Sequence, residues 1–215
     1  MNLQSSSCFL FVGLFLSVSA LTPEECQPLV TPLSLEDPSM LHGMKHLIMG
    51  YTDSAVSNDI LNASESYWMN VTASPSSDKS VVIHQEQKLN GSCYGMTFSL
   101  TMDGNVATMN IGNMSMAYHV LPGCDGCLVF SGNSTVSDLK EYFRFMNYES
   151  RIKMDGAVNA RALYLMAKEQ TVKDSDLEKF KQQASCLGFS GQPDFEFDPK
   201  KDSCKEGEGP NIVIN

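Results

Sequence analysis

The residues able to do chemistry in this chain are mostly sulfur-bearing: seven cysteines and thirteen methionines among 215 residues. Cys8 lies in an N-terminal apolar run. The other six are Cys26, Cys93, Cys124, Cys127, Cys186 and Cys204. In an oxidising compartment an even set of this kind closes as three disulfides, and counting alone leaves fifteen pairings open. Cys124-Asp125-Gly126-Cys127 has the spacing of a redox dithiol, but that chemistry needs a strand running into a helix. Asp-Gly between two β-like runs reads as a hairpin turn, which lacks that context. His42, His46, His84 and His119 lack metal-ligand spacing and read as solvated surface. There is no Gly-x-Ser-x-Gly and no Gly-rich phosphate loop. We therefore expect no enzymatic activity, no cofactor and no metal.

The compartment follows from the first residues. Cys8 to Leu16 is an unbroken apolar run, too short for the roughly 20 residues that a bilayer crossing takes. Val18-Ser19-Ala20 then offers small residues for cleavage, so residues 1–20 read as a signal peptide. Five Asn-x-Ser/Thr acceptors agree with secretion: Asn62, Asn70, Asn90, Asn113 and Asn133. With 15 basic and 25 acidic side chains the net charge is −10. That balance argues against phosphate backbones and anionic membrane as partners. The expectation is a secreted protein with no membrane anchor and no nucleic-acid partner.

The elements that must position any site are mostly strands. Tyr94-Gly-Met96-Thr-Phe98-Ser-Leu100-Thr-Met102 alternates large apolar with small polar residues, the pattern of a strand with one face buried. Asp103-Gly104-Asn105 follows as a turn. Eight strands are expected, near 44–52, 65–73, 80–89, 92–102, 105–111, 113–121, 127–132 and 160–167. The glycan acceptors check their facing, because a glycosylated Asn points to solvent and residues two apart share a face. If Asn70 points out, so does Trp68, while Tyr67, Met69 and Val71 point in. By the same parity Gln85 and Gln87 point in while His84, Glu86 and Lys88 point out. Met114, Met116, Tyr118 and Val120 also point in, as do Leu128 and Phe130. In each strand the inward set is the more apolar one.

Residues 21–42 hold Pro23, Pro28, Pro32 and Pro38 and read as an extended arm. Val136 to Tyr148 carries a weak helical spacing. Asp174 to Leu187 carries a better one, with Leu177, Phe180, Ala184 and Leu187 on one stripe and Gly188 to close it. Residues 189–215 are polar and read as a loose tail apart from Cys204. Sequential antiparallel strands close readily into a barrel, which removes exposed edges and at eight strands is wide enough for one small ligand. The fold class is thus all-β: an eight-stranded up-and-down barrel over 43–188 with one C-terminal α-helix packed outside. The candidate wall of a binding cavity is Tyr94, Met96, Phe98, Met116, Tyr118 and Phe130. Gln85 and Gln87 would supply orienting hydrogen bonds.

Several segments carry a resemblance. These are Thr22-Pro-Glu-Glu-Cys26-Gln-Pro-Leu, Leu121-Pro-Gly-Cys124-Asp-Gly-Cys127-Leu-Val, the strand Ala162-Leu-Tyr-Leu-Met-Ala167, and Asp174 through Cys186-Leu-Gly-Phe-Ser-Gly191. They resemble the α1-acid glycoprotein branch of the lipocalins, and within it the tributyltin-binding and the saxitoxin- and tetrodotoxin-binding proteins of fishes. The resemblance spans essentially the whole chain after residue 20. It implies the pairs Cys26–Cys186 and Cys93–Cys204, which leave Cys124 to Cys127. It also implies a monomeric plasma carrier of small hydrophobic or amphipathic molecules. One departure stands out. Lipocalins usually open their first strand with Gly-x-Trp, the Trp plugging the barrel floor, whereas here the motif reads Gly43-Met44-Lys45. Either Lys45 snorkels out of the base or Trp68 takes over part of the plug's role; because parity turns Trp68 outward, the expectation is a floor packed by Met and Leu. The rival reading is a glycoprotein that acts through its surface on proteins or cells, with a filled barrel.

Overall fold

A computed structural model describes residues 21–111, 114–137 and 157–213. Eight strands run antiparallel in chain order: β1 Gly43–Thr52, β2 Ser64–Ala73, β3 Ser80–Leu89, β4 Ser92–Asp103, β5 Val106–Ile111, β6 Met114–Leu121, β7 Cys127–Val136 and β8 Val158–Ala167. Each pairs with the next, and β8 pairs back onto β1 with Tyr164 opposite Gly50, so the barrel closes. Between β4 and β5 only Thr101 to Asp103 pair with Val106 to Thr108, which leaves the rest of the β4 edge open. The expected helix from Val136 to Tyr148 falls almost wholly on 138–156, outside the described residues, and Val136 itself ends β7.

Residues 21–42 are not an extended arm. They form helix α1, Pro23–Val30, and a 3-10 turn, Pro38–Leu41. Thr22 caps α1 by accepting from the Glu25 backbone N–H, while the Glu25 carboxylate accepts from the Thr22 N–H. Pro23 sits at the first helical position, where no N–H is needed. Proline content alone misread the segment because the reciprocal cap outweighed it. After α1 the chain crosses the closed end of the barrel. There the Leu33 N–H donates to the Val120 carbonyl and the Leu35 N–H to the Gly104 carbonyl. Leu35 and Leu41 are fully buried in this floor.

Lys45 does not snorkel. It is 2% exposed, and its ammonium donates to the Leu41 carbonyl at 2.6 Å and to the His42 carbonyl at 2.9 Å. The floor is thus packed by Leu and Met side chains, with one amine tied to the end of the 3-10 turn. Burial, aided by the nearby Lys168, lowers its pKa to about 8.

Outside the barrel lies α3, Asp174–Cys186. Phe180 and Ala184 bury against Met49, Tyr51, Leu163 and Leu165, and full burial of Phe180 alone contributes about 2–3 kcal/mol. Asp174 and Asp176 occupy its first turn, where the helix dipole favours negative charge. Gln183, 1% exposed, donates to the Leu29 and Pro122 carbonyls and so locks α1 and the β6–β7 loop to the helix. Three disulfides form: Cys26–Cys186, Cys93–Cys204 and Cys124–Cys127.

The tail is ordered rather than loose. Strand β9, Phe195–Glu196, pairs with β1, and β10, Asn211–Val213, adds in parallel to the open edge of β4. Gly209 passes so close to Cys93 that any Cβ would overlap the Cys93 carbonyl. This strap covers the outer face of β2–β4. Trp68 keeps its outward facing, yet it is 4% exposed and donates to the Cys204 carbonyl. Glu86 is fully buried there, with Oε1 accepting from the Gly207 N–H at 2.8 Å and lying 3.4 Å from His84 Nε2. All four histidines are half-buried instead of solvated. Outward parity does not mean exposure when a distant segment lies on top.

Candidate binding cavity

Inside the barrel is a cavity of ≈ 260 Å³. Its deep end is set by Leu47 and Met166, which pair across β1 and β8. Its wall takes alternate residues from three strands: Tyr67 and Met69 from β2, Ile83, Gln85 and Gln87 from β3, Met96, Phe98 and Leu100 from β4. Met109 follows from β5, Met114, Met116 and Tyr118 from β6, then Phe130, Gly132, Asn133 and Ser134 from β7, and Ala160, Ala162 and Tyr164 from β8. Helix α2, Ala55–Ala63, joins β1 to β2 at the open end and adds Val56, Ser57, Ile60 and Leu61. Asp194 holds α2 in place by accepting from the Thr52 N–H at 2.7 Å and from the Asn58 side chain.

The polar groups of the wall are largely paired with one another. Tyr67 Oη donates to Gln85 Oε1 at 2.7 Å, and Gln87 Nε2 donates to Ser64 Oγ at 2.7 Å. Tyr118 Oη donates to the Met116 thioether at 3.1 Å, a weak acceptor. Burial raises the Tyr118 pKa to about 12, so it remains a phenol. Its ring meets Phe130 edge-on at 6.5 Å and lies over Gly132, where a Cβ would stand 2.6 Å from Tyr118 Cε1. Tyr164 lies over its cross-strand partner Gly50 in the same way. A glycine opposite an aromatic leaves the ring room to lie flat on the sheet.

Of the eight residues expected at the site, Gln85, Gln87, Met96, Phe98, Met116, Tyr118 and Phe130 lie on this wall. Tyr94 does not; it is half-buried opposite Gln87 near the open end of β4. Four contributors of α2 escaped the sequence reading. Ser54, which accepts from the Ser57 N–H, followed by Val56, Ile60 and Leu61, was the available signal. Gly132 was also missed, although a lone glycine inside a strand marks a close approach. Among the glycan acceptors Asn62, Asn90 and Asn133 are exposed, Asn70 is half-buried on the outer face, and Asn113 lies outside the described residues. One group of potential metal ligands occurs among the described residues, Cys93, Cys204 and Glu208, but two of its sulfurs are spent in a disulfide.

The architecture is the lipocalin fold. It is similar to the siderocalin Ex-FABP, at 10% identity and a TM-score of 0.55 over 74% of this chain and 94% of that one. It is similar to a second siderocalin, described with a dual ligand binding mode, at 12% identity and a TM-score of 0.56 over 81% and 98%. The bovine lipocalin allergen Bos d 2 matches at 18% identity and a TM-score of 0.50 over 71% and 88%. No family model matches the sequence, and no curated protein matches it. At these identities the likeness is one of fold.

Proposed function

We propose that this chain is a secreted glycoprotein of the lipocalin family, a non-enzymatic carrier of small hydrophobic or amphipathic molecules. The observation that carries the reading is the apolar cavity inside a closed barrel, with few polar groups on its wall. All six cysteines after residue 20 are paired, so no thiol remains among them for covalent catalysis. The leader at 1–20, the five glycan acceptors and three disulfides support an extracellular site of action, and blood plasma is the compartment that the resemblance implies. We infer a monomer. Of the ligands that the resemblance implies, tributyltin, with three apolar arms, suits the wall better than saxitoxin or tetrodotoxin, whose guanidinium groups want a carboxylate. The rival reading, action through the glycosylated surface alone, is disfavoured by the space left inside the barrel.

Native mass spectrometry of the protein purified from its own fluid tests the proposal. A bound mass that leaves on organic extraction supports it. An empty barrel that also fails to take up uncharged fluorescent probes refutes it.

A further inference from the structure

Every described side chain that lines the cavity is uncharged. The wall holds six thioethers, from Met69, Met96, Met109, Met114, Met116 and Met166, beside aromatic rings. Thioethers are polarisable and adapt to irregular shapes. Gln85 Oε1 accepts from the Tyr67 hydroxyl, and Gln87 Nε2 donates to Ser64. The Tyr118 hydroxyl is poorly used as a donor: it points at a sulfur, 3.1 Å away. An ionised carboxylate or ammonium entering this space would lose its water and meet no counter-charge, which disfavours its entry strongly. An oxygen acceptor would instead replace Met116 sulfur as the partner of Tyr118 at little cost.

We propose that the cavity selects uncharged, polarisable ligands that carry a single hydrogen-bond acceptor, such as a ketone or an ether, and that Tyr118 reads that acceptor. The proposal rests on the carrier reading and narrows its ligand class. The net charge of −10 does not reverse this. Exposed charge acts through screened water over about 8 Å, whereas the penalty arises inside the wall.

A set of ligands on one skeleton tests it. The full secreted chain is titrated with N-phenyl-1-naphthylamine as an uncharged fluorescent reporter at pH 7.4. The reporter is then displaced by 2-acetylnaphthalene, 2-ethylnaphthalene, 2-naphthoate and 2-naphthylmethylammonium. The ketone is expected to bind about 100-fold more tightly than either ion, and about 5- to 10-fold more tightly than the ethyl compound. In Tyr118→Phe, checked for folding by near-UV circular dichroism, the ketone–ethyl gap is expected to close to about twofold. Either ion binding within tenfold of the ketone overturns the selection for uncharged ligands but leaves the carrier reading standing. A ketone–ethyl gap that survives in Tyr118→Phe overturns the role of Tyr118. No saturable reporter signal from the wild type overturns both readings together.

Discussion

Lys45 makes the stability of this barrel depend on pH in an unusual direction. Its amine is buried in the floor, and its pKa falls from 10.5 to about 8 through burial and the proximity of Lys168. The folded state therefore binds this proton less tightly than the unfolded state does. Below about pH 8 the lysine is charged in both states, and the folded state bears the full cost of burying the charge. Between about 8 and 10.5 the unfolded chain holds the proton that the folded chain has released, so stability rises with pH. At 1.36 kcal/mol per pH unit the whole gain is about 3 kcal/mol, and about 2 kcal/mol of it falls by pH 9.5. That is a sizeable part of a domain's usual margin of roughly 5–15 kcal/mol. Stopping at 9.5 matters, because Tyr51 and Tyr118 both have raised pKa values. Their unfolded forms ionise first near pH 10 and turn the curve down. The assay is urea unfolding followed by Trp68, the sole tryptophan, at pH 7.5, 8.5 and 9.5. Lys45→Met removes the titration and is expected to flatten the profile. It leaves the Leu41 and His42 carbonyls without their donor, at a cost of about 1–3 kcal/mol, so its absolute stability is the less informative reading. A wild-type stability that is flat or falls across this window, or a slope that persists in Lys45→Met, would refute the reasoning.

Loop length separates the disulfides. Cys26–Cys186 and Cys93–Cys204 span 160 and 111 residues against 3 for Cys124–Cys127. Replacing either long pair with Ser is expected to cost about 5 kcal/mol, and the short pair about 1.6 kcal/mol, in denaturant titrations; equal losses would contradict the entropic account. Cutting Cys93–Cys204 should also free the strap from Trp68 and shift its emission to the red, whereas cavity ligands should quench tyrosine more than Trp68. Gly132→Ala forces the Tyr118 ring off the sheet, with an expected loss of about 1–3 kcal/mol and weaker reporter binding; an unchanged affinity would show that the ring position is not critical.

Much of the barrel was legible in the chain because strand parity is local. Two residues apart means one face, so Met96, Phe98, Met116, Tyr118 and Phe130 were placed on the inner surface without any knowledge of their neighbours. Tyr94 shows the limit of that logic: it has the right parity, but where the cavity ends depends on how the strands tilt and what else fills the open end. Helix α2 was missed because nine residues between two strong strands carry too short a stripe to stand out until one sees that Val56, Ile60 and Leu61 need an apolar surface to face.

The sequence by itself determined the all-β alternation, the eight strands of the barrel, the outer helix and the supply of cysteines. These depend on period, on a stripe and on counting. The tertiary structure alone decided what lies over each outward face. Trp68, His84 and Glu86 point away from the barrel, yet a strap more than a hundred residues downstream lies over them, burying Trp68 and Glu86 and half-burying His84, held by Cys93–Cys204 and by β10 on the open edge of β4. It also decided that Lys45 lies inside the floor, because the carbonyls that make its burial tolerable come from the end of a 3-10 turn whose position is set by packing. Parity is a property of adjacent residues, whereas burial is a property of whatever the chain brings back on top of them.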